Sequence, residues 1–126
     1  MTPRRRLGTA ALFLVLALGT GLAAATSHFG SVPSRDHVRQ NPFAGQPDAA
    51  AAGALLYRDH CAQCHQVDAR GDRKRPSLRT PQVRAASDGD LEWFLRQGDL
   101  RHGMPSWSSL PQGQRWQIIA YLRSLP

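Results

Sequence analysis

The chain has 126 residues, 41% hydrophobic but only 7% aromatic, with 16 Lys+Arg against 9 Asp+Glu and a formal charge of +7. That length allows one modest domain, and a domain so short of aromatic side chains has a marginal core unless something other than protein fills it. Two cysteines exclude a multi-disulfide scaffold. The basic excess accompanies no nucleic-acid recognition motif, so nucleic acid is not expected as a partner.

Residues 1–26 have the three parts of an export leader: basic Arg4, Arg5 and Arg6, an apolar run from Ala10 to Leu18, and small residues at Ala23, Ala24 and Ala25. The 19 uncharged residues from Leu7 to Ala25 also approach the lower length of a membrane span. A cleaved signal peptide and an uncleaved N-terminal membrane anchor, a tether through residues 7–25, are both open readings. Without Arg4 to Arg6 the balance is 13 basic against 9 acidic residues, or +4, so much of the positive charge reflects export.

Residues 27–47 turn to Ser, Gly, Asn and isolated charges, with Pro33, Pro42 and Pro47, which predicts a flexible linker or extended arm. The folded domain is then expected over 48–126. Asp48 is placed to cap a helix from Ala49 to about Asp59. Gly71, Pro76 and Pro81 leave room for loops and at most a turn of helix over 66–86. Ser87, three residues before Asp90, forms a capping-box pattern for a helix from Asp88 to Gln97, with Leu91, Phe94 and Leu95 on one face and Gly98 as its stop.

A loop with Gly103, Pro105 and Pro111 follows. The last helix is expected over Gln112–Leu125, its stripe of Ile118, Ile119, Leu122 and Leu125 widened by Trp116, Ala120 and Tyr121. No segment alternates with period two, so the fold class is all-α.

The chemistry concentrates at Cys61-Ala62-Gln63-Cys64-His65. Cysteines at i and i+3 lie about one helical turn apart and can add across the two vinyl groups of a haem, and a histidine immediately after them can face the iron. Two other readings use the same residues. A C-x-x-C redox pair normally opens a helix after a strand, and no strand pattern precedes it here. A structural zinc site needs four ligands, and only His60, His65 or a distant histidine could join the thiolates.

With haem, His65 leaves one axial position open. Met1 goes with the leader or lies far from the domain, so Met104, 39 residues after His65, is the remaining thioether. His102, two residues earlier in the same loop, is its rival. His60 adjoins Cys61 too closely to reach the opposite face, and His28 and His37 read as surface residues of the linker.

Through Cys61-Ala62-Gln63-Cys64-His65, Pro76-Ser77-Leu78, Gly103-Met104-Pro105 and the aromatic C-terminal helix, residues 50–125 resemble the mono-haem class I c-type cytochromes. The resemblance implies a cytochrome c fold of three to five helices around one haem c, attached covalently through Cys61 and Cys64. It implies iron ligation by His65 and Met104, and a Pro76 carbonyl that accepts the imidazole N–H of His65. Many relatives carry glycine where this chain has Arg75. The family crosses its first and last helices closely, for which Gly53 and Tyr57 against Trp116 or Tyr121 are the corresponding residues. Trp93, Phe94 and Trp107 are expected as haem walls or as ordinary core.

Arg70, Arg73, Lys74, Arg75, Arg79 and Arg84 stand against Asp68 and Asp72 in the middle of the chain, either a solvated face or a surface that steers an acidic redox partner. The resulting expectation is a monomeric periplasmic one-electron carrier, not an enzyme, working between a dehydrogenase and a respiratory oxidase. The alternatives are a cytochrome subunit dedicated to one dehydrogenase, or a haem peroxidase or gas sensor with a displaceable axial methionine.

Overall fold

The structure, a computed structural model, describes residues 29–126; the leader or anchor and His28 lie outside the described residues. Six α-helical segments follow one another: α1 (Ser34–His37), α2 (Pro47–His60), α3 (Ala62–His65), α4 (Pro81–Ala85), α5 (Asp88–Gln97) and α6 (Gln112–Ser124). A turn of 3-10 helix, Leu100–His102, lies between α5 and α6. The described residues contain no strand beyond an isolated bridge between Asp99 and Met104, in keeping with the all-α expectation. None of their helices is long and apolar enough to cross a membrane.

α2 starts earlier than its predicted cap. Gln46 is the N-cap and Pro47 occupies the first turn, where its fixed φ suits a helix and its missing N–H is not needed. Asp48 therefore lies inside the first turn, where its charge complements the helix dipole. α5 opens as expected: the Ser87 hydroxyl accepts from Asp90 N at 3.0 Å, and the Asp90 carboxylate accepts from Ser87 N at 2.8 Å. Thr80 caps α4, with its hydroxyl accepting from Val83 N.

The core forms where α2 crosses α6, the most extensive helix contact. A Cβ added at Gly53 would fall 1.9 Å from the Gln117 carbonyl oxygen and 3.0 Å from Tyr121 Cβ, so only glycine lets the backbones approach this closely. Tyr57 and Tyr121 meet beside it with ring centroids 5.2 Å apart. Tyr57, Ile118 and Ile119 are fully buried, and Leu91, Leu95 and Trp116 join them in the cluster, with Cys61, Ala69 and Ala86.

Of the two readings of residues 27–47, a flexible linker or an extended arm, the structure has from residue 33 onward an arm, laid against α5 and α6. Asp36 accepts from Arg96 at 2.9 Å, and Arg39 reaches Glu92 at 2.8 Å while its guanidinium lies 5.2 Å above the Trp116 ring. Asn41 donates to Trp116 O at 2.9 Å, and Ser87 Oγ donates to His37 O at 2.7 Å. Gly89 allows the approach, since a Cβ there would meet Asp36 O at 1.9 Å. The proline and charge pattern hid this because every anchoring contact is long-range.

Glu92, with no solvent exposure, is the centre of these pairs. Arg115 Nε faces Glu92 Oε1 at 2.9 Å, Arg39 takes Oε2, and Arg96 approaches Oε2 at 3.5 Å. Removing one partner from a buried pair of this kind costs about 3–5 kcal/mol, because the other charge is left unpaired and out of water.

Candidate functional site

The motif residues sit where α2 ends and the chain reverses. Cys61 is the C-cap of α2 and also opens α3, so Cys61, Cys64 and His65 share one turn, with His65 N donating to Cys61 O at 2.9 Å. Immediately after His65 the backbone turns at Gln66 with φ +65, a conformation that costs a side-chain-bearing residue on the order of 1–3 kcal/mol. The buried Tyr57 hydroxyl donates to Gln66 O at 2.8 Å and steadies that turn. Burial, with Cys61 as the next cause, raises the Tyr57 phenol above its ordinary range, so the hydroxyl keeps its proton. Sequence reading assigned Tyr57 to the helix crossing alone; no local pattern signals its bond to Gln66.

His65 is buried, and its Nδ1 lies 2.9 Å from Pro76 O. A carbonyl only accepts, so Nδ1 carries the proton and Nε2 is the ring nitrogen left for a metal. Arg75 does not prevent this contact. Its own carbonyl accepts from Asp72 N at 2.9 Å, and its guanidinium Nη1 reaches His102 O at 3.3 Å.

Asp72 Oδ1 accepts from Lys74 N at 2.7 Å and Arg75 N at 2.9 Å, which fastens the loop that presents Pro76. Those backbone hydrogen bonds hold the Asp72 carboxyl below its usual range. Because it titrates lower in the folded than in the unfolded chain, its stabilising contribution is complete above the ordinary carboxylate value. That contribution disappears as pH falls through the folded value. Asp72→Asn should therefore be less stable than the parent at neutral pH and indistinguishable from it in strong acid, as followed by chemical denaturation across pH. A difference that does not change with pH would refute this account.

Met104 is half-buried against the core, in a turn closed by paired backbone bonds with Asp99, both 2.9 Å. His102 turns outward: its side chain is 71% exposed and its Nδ1 is 2.6 Å from Asp99 Oδ2. His60 packs against Trp107 with centroids 5.2 Å apart. The exposed His37 ring meets the buried Asp90 carboxylate at 2.8 Å. Phe94 meets Phe29 edge-on at 5.7 Å, and Trp93, Phe94 and Trp107 are all half-buried.

The competing readings of the two thiols fit this geometry poorly. Burial, and next the neighbouring Cys64, push the Cys61 thiol up to about 11, whereas a redox-active pair needs a thiolate near neutral pH. Among the described residues no group of three or more His, Cys, Asp or Glu is arranged to hold a metal ion, as zinc would require.

Covalent haem fits better. Two free cysteines lie on one turn beside a buried imidazole with one ring nitrogen open. Leu78, Val83 and Leu122 line one recess, and Leu56 and Met104 are likewise half-buried against the core, so apolar side chains remain that a flat macrocycle could cover.

Residues 48–122 match the protein-family model described as "Cytochrome C oxidase, cbb3-type, subunit III". Cytochrome c550 of Pseudomonas aeruginosa is 32% identical over 93 residues, covering 68% of this chain and 62% of that protein. The crystal structure of cytochrome CL from the marine methylotroph Methylophaga aminisulfidivorans is similar with a TM-score of 0.59 and 27% identity, covering 68% of this chain and 58% of that one. The chain thus spans less than two thirds of the length of either relative. Fold, motif and match agree: the chain belongs to the cytochrome c family described by that model. Its cofactor is haem c, covalent through Cys61 and Cys64.

Proposed function

We propose that this protein is an exported one-electron carrier in which His65 and Met104 would hold the haem iron. The observation that carries the reading is the 2.9 Å contact between His65 Nδ1 and Pro76 O, which fixes the tautomer and leaves Nε2 available. Bound haem c supplies a one-electron ferric–ferrous couple. The Pro76 carbonyl orients the imidazole and raises its basicity, and the Met104 thioether favours the ferrous state and a relatively high potential. The exposure of His102 and its bond to Asp99 support Met104 over its rival.

Carriage between a dehydrogenase and a respiratory oxidase in the periplasm is the working role, supported by the leader-like N-terminus. With both axial positions occupied, the reduced protein should not bind carbon monoxide in a spectroscopic titration. Ready binding by the unmodified protein would remove the axial assignment and turn the reading toward a gas sensor or peroxidase.

Arg73 and Lys74 are exposed on the loop that ends at Pro76, so their charge lies beside the site. Reversing both to Glu should slow electron exchange with an acidic redox protein by about tenfold or more at low ionic strength. The difference should fade as salt shortens the screening length. Arg75 is left in place because its guanidinium holds His102 O. Equal rates for parent and double variant at low salt would rule out steering by this face.

A further inference from the structure

Two helices away from the motif, the buried ion pair of α5 and α6 reaches into the loop that carries Met104. Arg115 presents Nε and Nη2 to Glu92 Oε1 at 2.9 and 2.8 Å. Its remaining fork atom, Nη1, donates to Leu110 O and, at 3.4 Å, to Trp107 O. Both carbonyls belong to the turn that follows Gly103-Met104-Pro105 and leads into α6. The same turn is tied to α5 by Trp107 N donating to Leu95 O at 2.8 Å, and the Trp107 ring rests against His60, the neighbour of Cys61.

Such an arrangement exceeds what holding two helices together requires. One side of the guanidinium is occupied by Glu92, and the other is directed at loop carbonyls. Glu92 is in turn held on its second oxygen by Arg39 of the arm. A planar fork with several fixed donors can serve both sides at once, which a lysine ammonium on a flexible stem cannot do with the same geometry.

We propose that Glu92 and Arg115 are positioning residues for Met104: the Glu92 carboxylate orients Arg115, and Arg115 pins the Trp107 and Leu110 carbonyls. Together they hold the loop in the stance that keeps the thioether on the iron. The inference rests on the reading of Met104 as axial ligand. It concerns neither the proximal side nor the surface charges.

The test uses the oxidised holoprotein and imidazole, which competes for the axial position held by Met104. Two readouts are followed: the far-red sulfur-to-iron charge-transfer absorption and the imidazole dissociation constant. Glu92→Gln and Arg115→Lys should each weaken the absorption and bind imidazole about tenfold more tightly, the effect of losing one charge-assisted hydrogen bond. Asp88→Asn, which removes the Arg123 pair between α5 and α6 and touches neither Glu92 nor Arg115, should lower thermal stability while leaving imidazole affinity near the parent value.

If Glu92→Gln does not accumulate as holoprotein, Arg115→Lys carries the same test with the charge facing Glu92 retained. Parent-like imidazole affinity in the positioning variants overturns the inference, as does an equal shift in Asp88→Asn, which would make the effect general destabilisation. Absence of the sulfur-to-iron absorption from the unmodified protein overturns the ligand reading itself, a distinct result.

Discussion

Met104→Ala should lower the reduction potential by about 0.2 V, a fraction of the roughly 0.8 V over which axial ligands set haem potentials. Met104 is the one thioether in the chain apart from Met1, and the alternative nitrogen ligand in its loop, His102, faces solvent with its Nδ1 on Asp99. Removal of the sulfur should therefore open the iron to carbon monoxide when reduced and to cyanide when oxidised. The fold should survive, since Met104 is half-buried and most of its loop is held by backbone bonds at Asp99 and by Arg115. Potentiometric titration with ligand binding checks both parts. An unchanged potential, with the iron still closed to carbon monoxide, would mean that another residue occupies the position.

Gly53→Ala is the substitution expected to damage the fold most for its size. In an exposed helix the change would stabilise by up to about 1 kcal/mol through helix propensity. Here the new Cβ would lie 1.9 Å from Gln117 O, a backbone atom that no rotamer change can move. α2 and α6 must separate, which loosens the packing of Tyr57 against Tyr121 and costs about 3 kcal/mol. A domain of this size should then melt roughly 10–20 °C lower. Because α2 ends at the haem-attachment turn, the yield of covalent holoprotein should fall as well. A melting temperature within a degree or two of the parent would show that the helices can yield at this crossing.

The elements most legible in the sequence were those whose determinants are local. The capping box at Ser87 and Asp90 involves residues three apart, and it opens α5 where expected. The apolar stripe at Ile118 and Ile119 follows the helical period, and both residues are buried in α6. Pro47 shows the limit of that kind of reading: Asp48 is a good capping residue, yet the proline before it is compatible with the first turn, so the helix begins two residues sooner.

The contacts of the arm are illegible in the sequence for a different reason. Asp36, Arg39 and Asn41 look like solvated residues between prolines, and their partners Arg96, Glu92 and Trp116 are separated from them by more than 50 positions. Nothing within a window of the sequence distinguishes them from a linker. Glu92 gave one faint signal, an i,i+4 relation to Arg96 that usually marks an exposed helix face.

The sequence by itself determined the attachment pattern: two thiols one helical turn apart and an adjoining imidazole are what covalent haem requires, because attachment depends on residue identity at short spacing. Tertiary structure decided what surrounds that chemistry. It brought Pro76 O to His65, turned His102 outward, laid the arm on α5, and made Glu92 and Arg115 a buried pair beneath the Met104 loop. Each of these depends on which backbones approach one another, and that is set by the α2–α6 crossing at Gly53 and by burial in the assembled core rather than by any local run of residues.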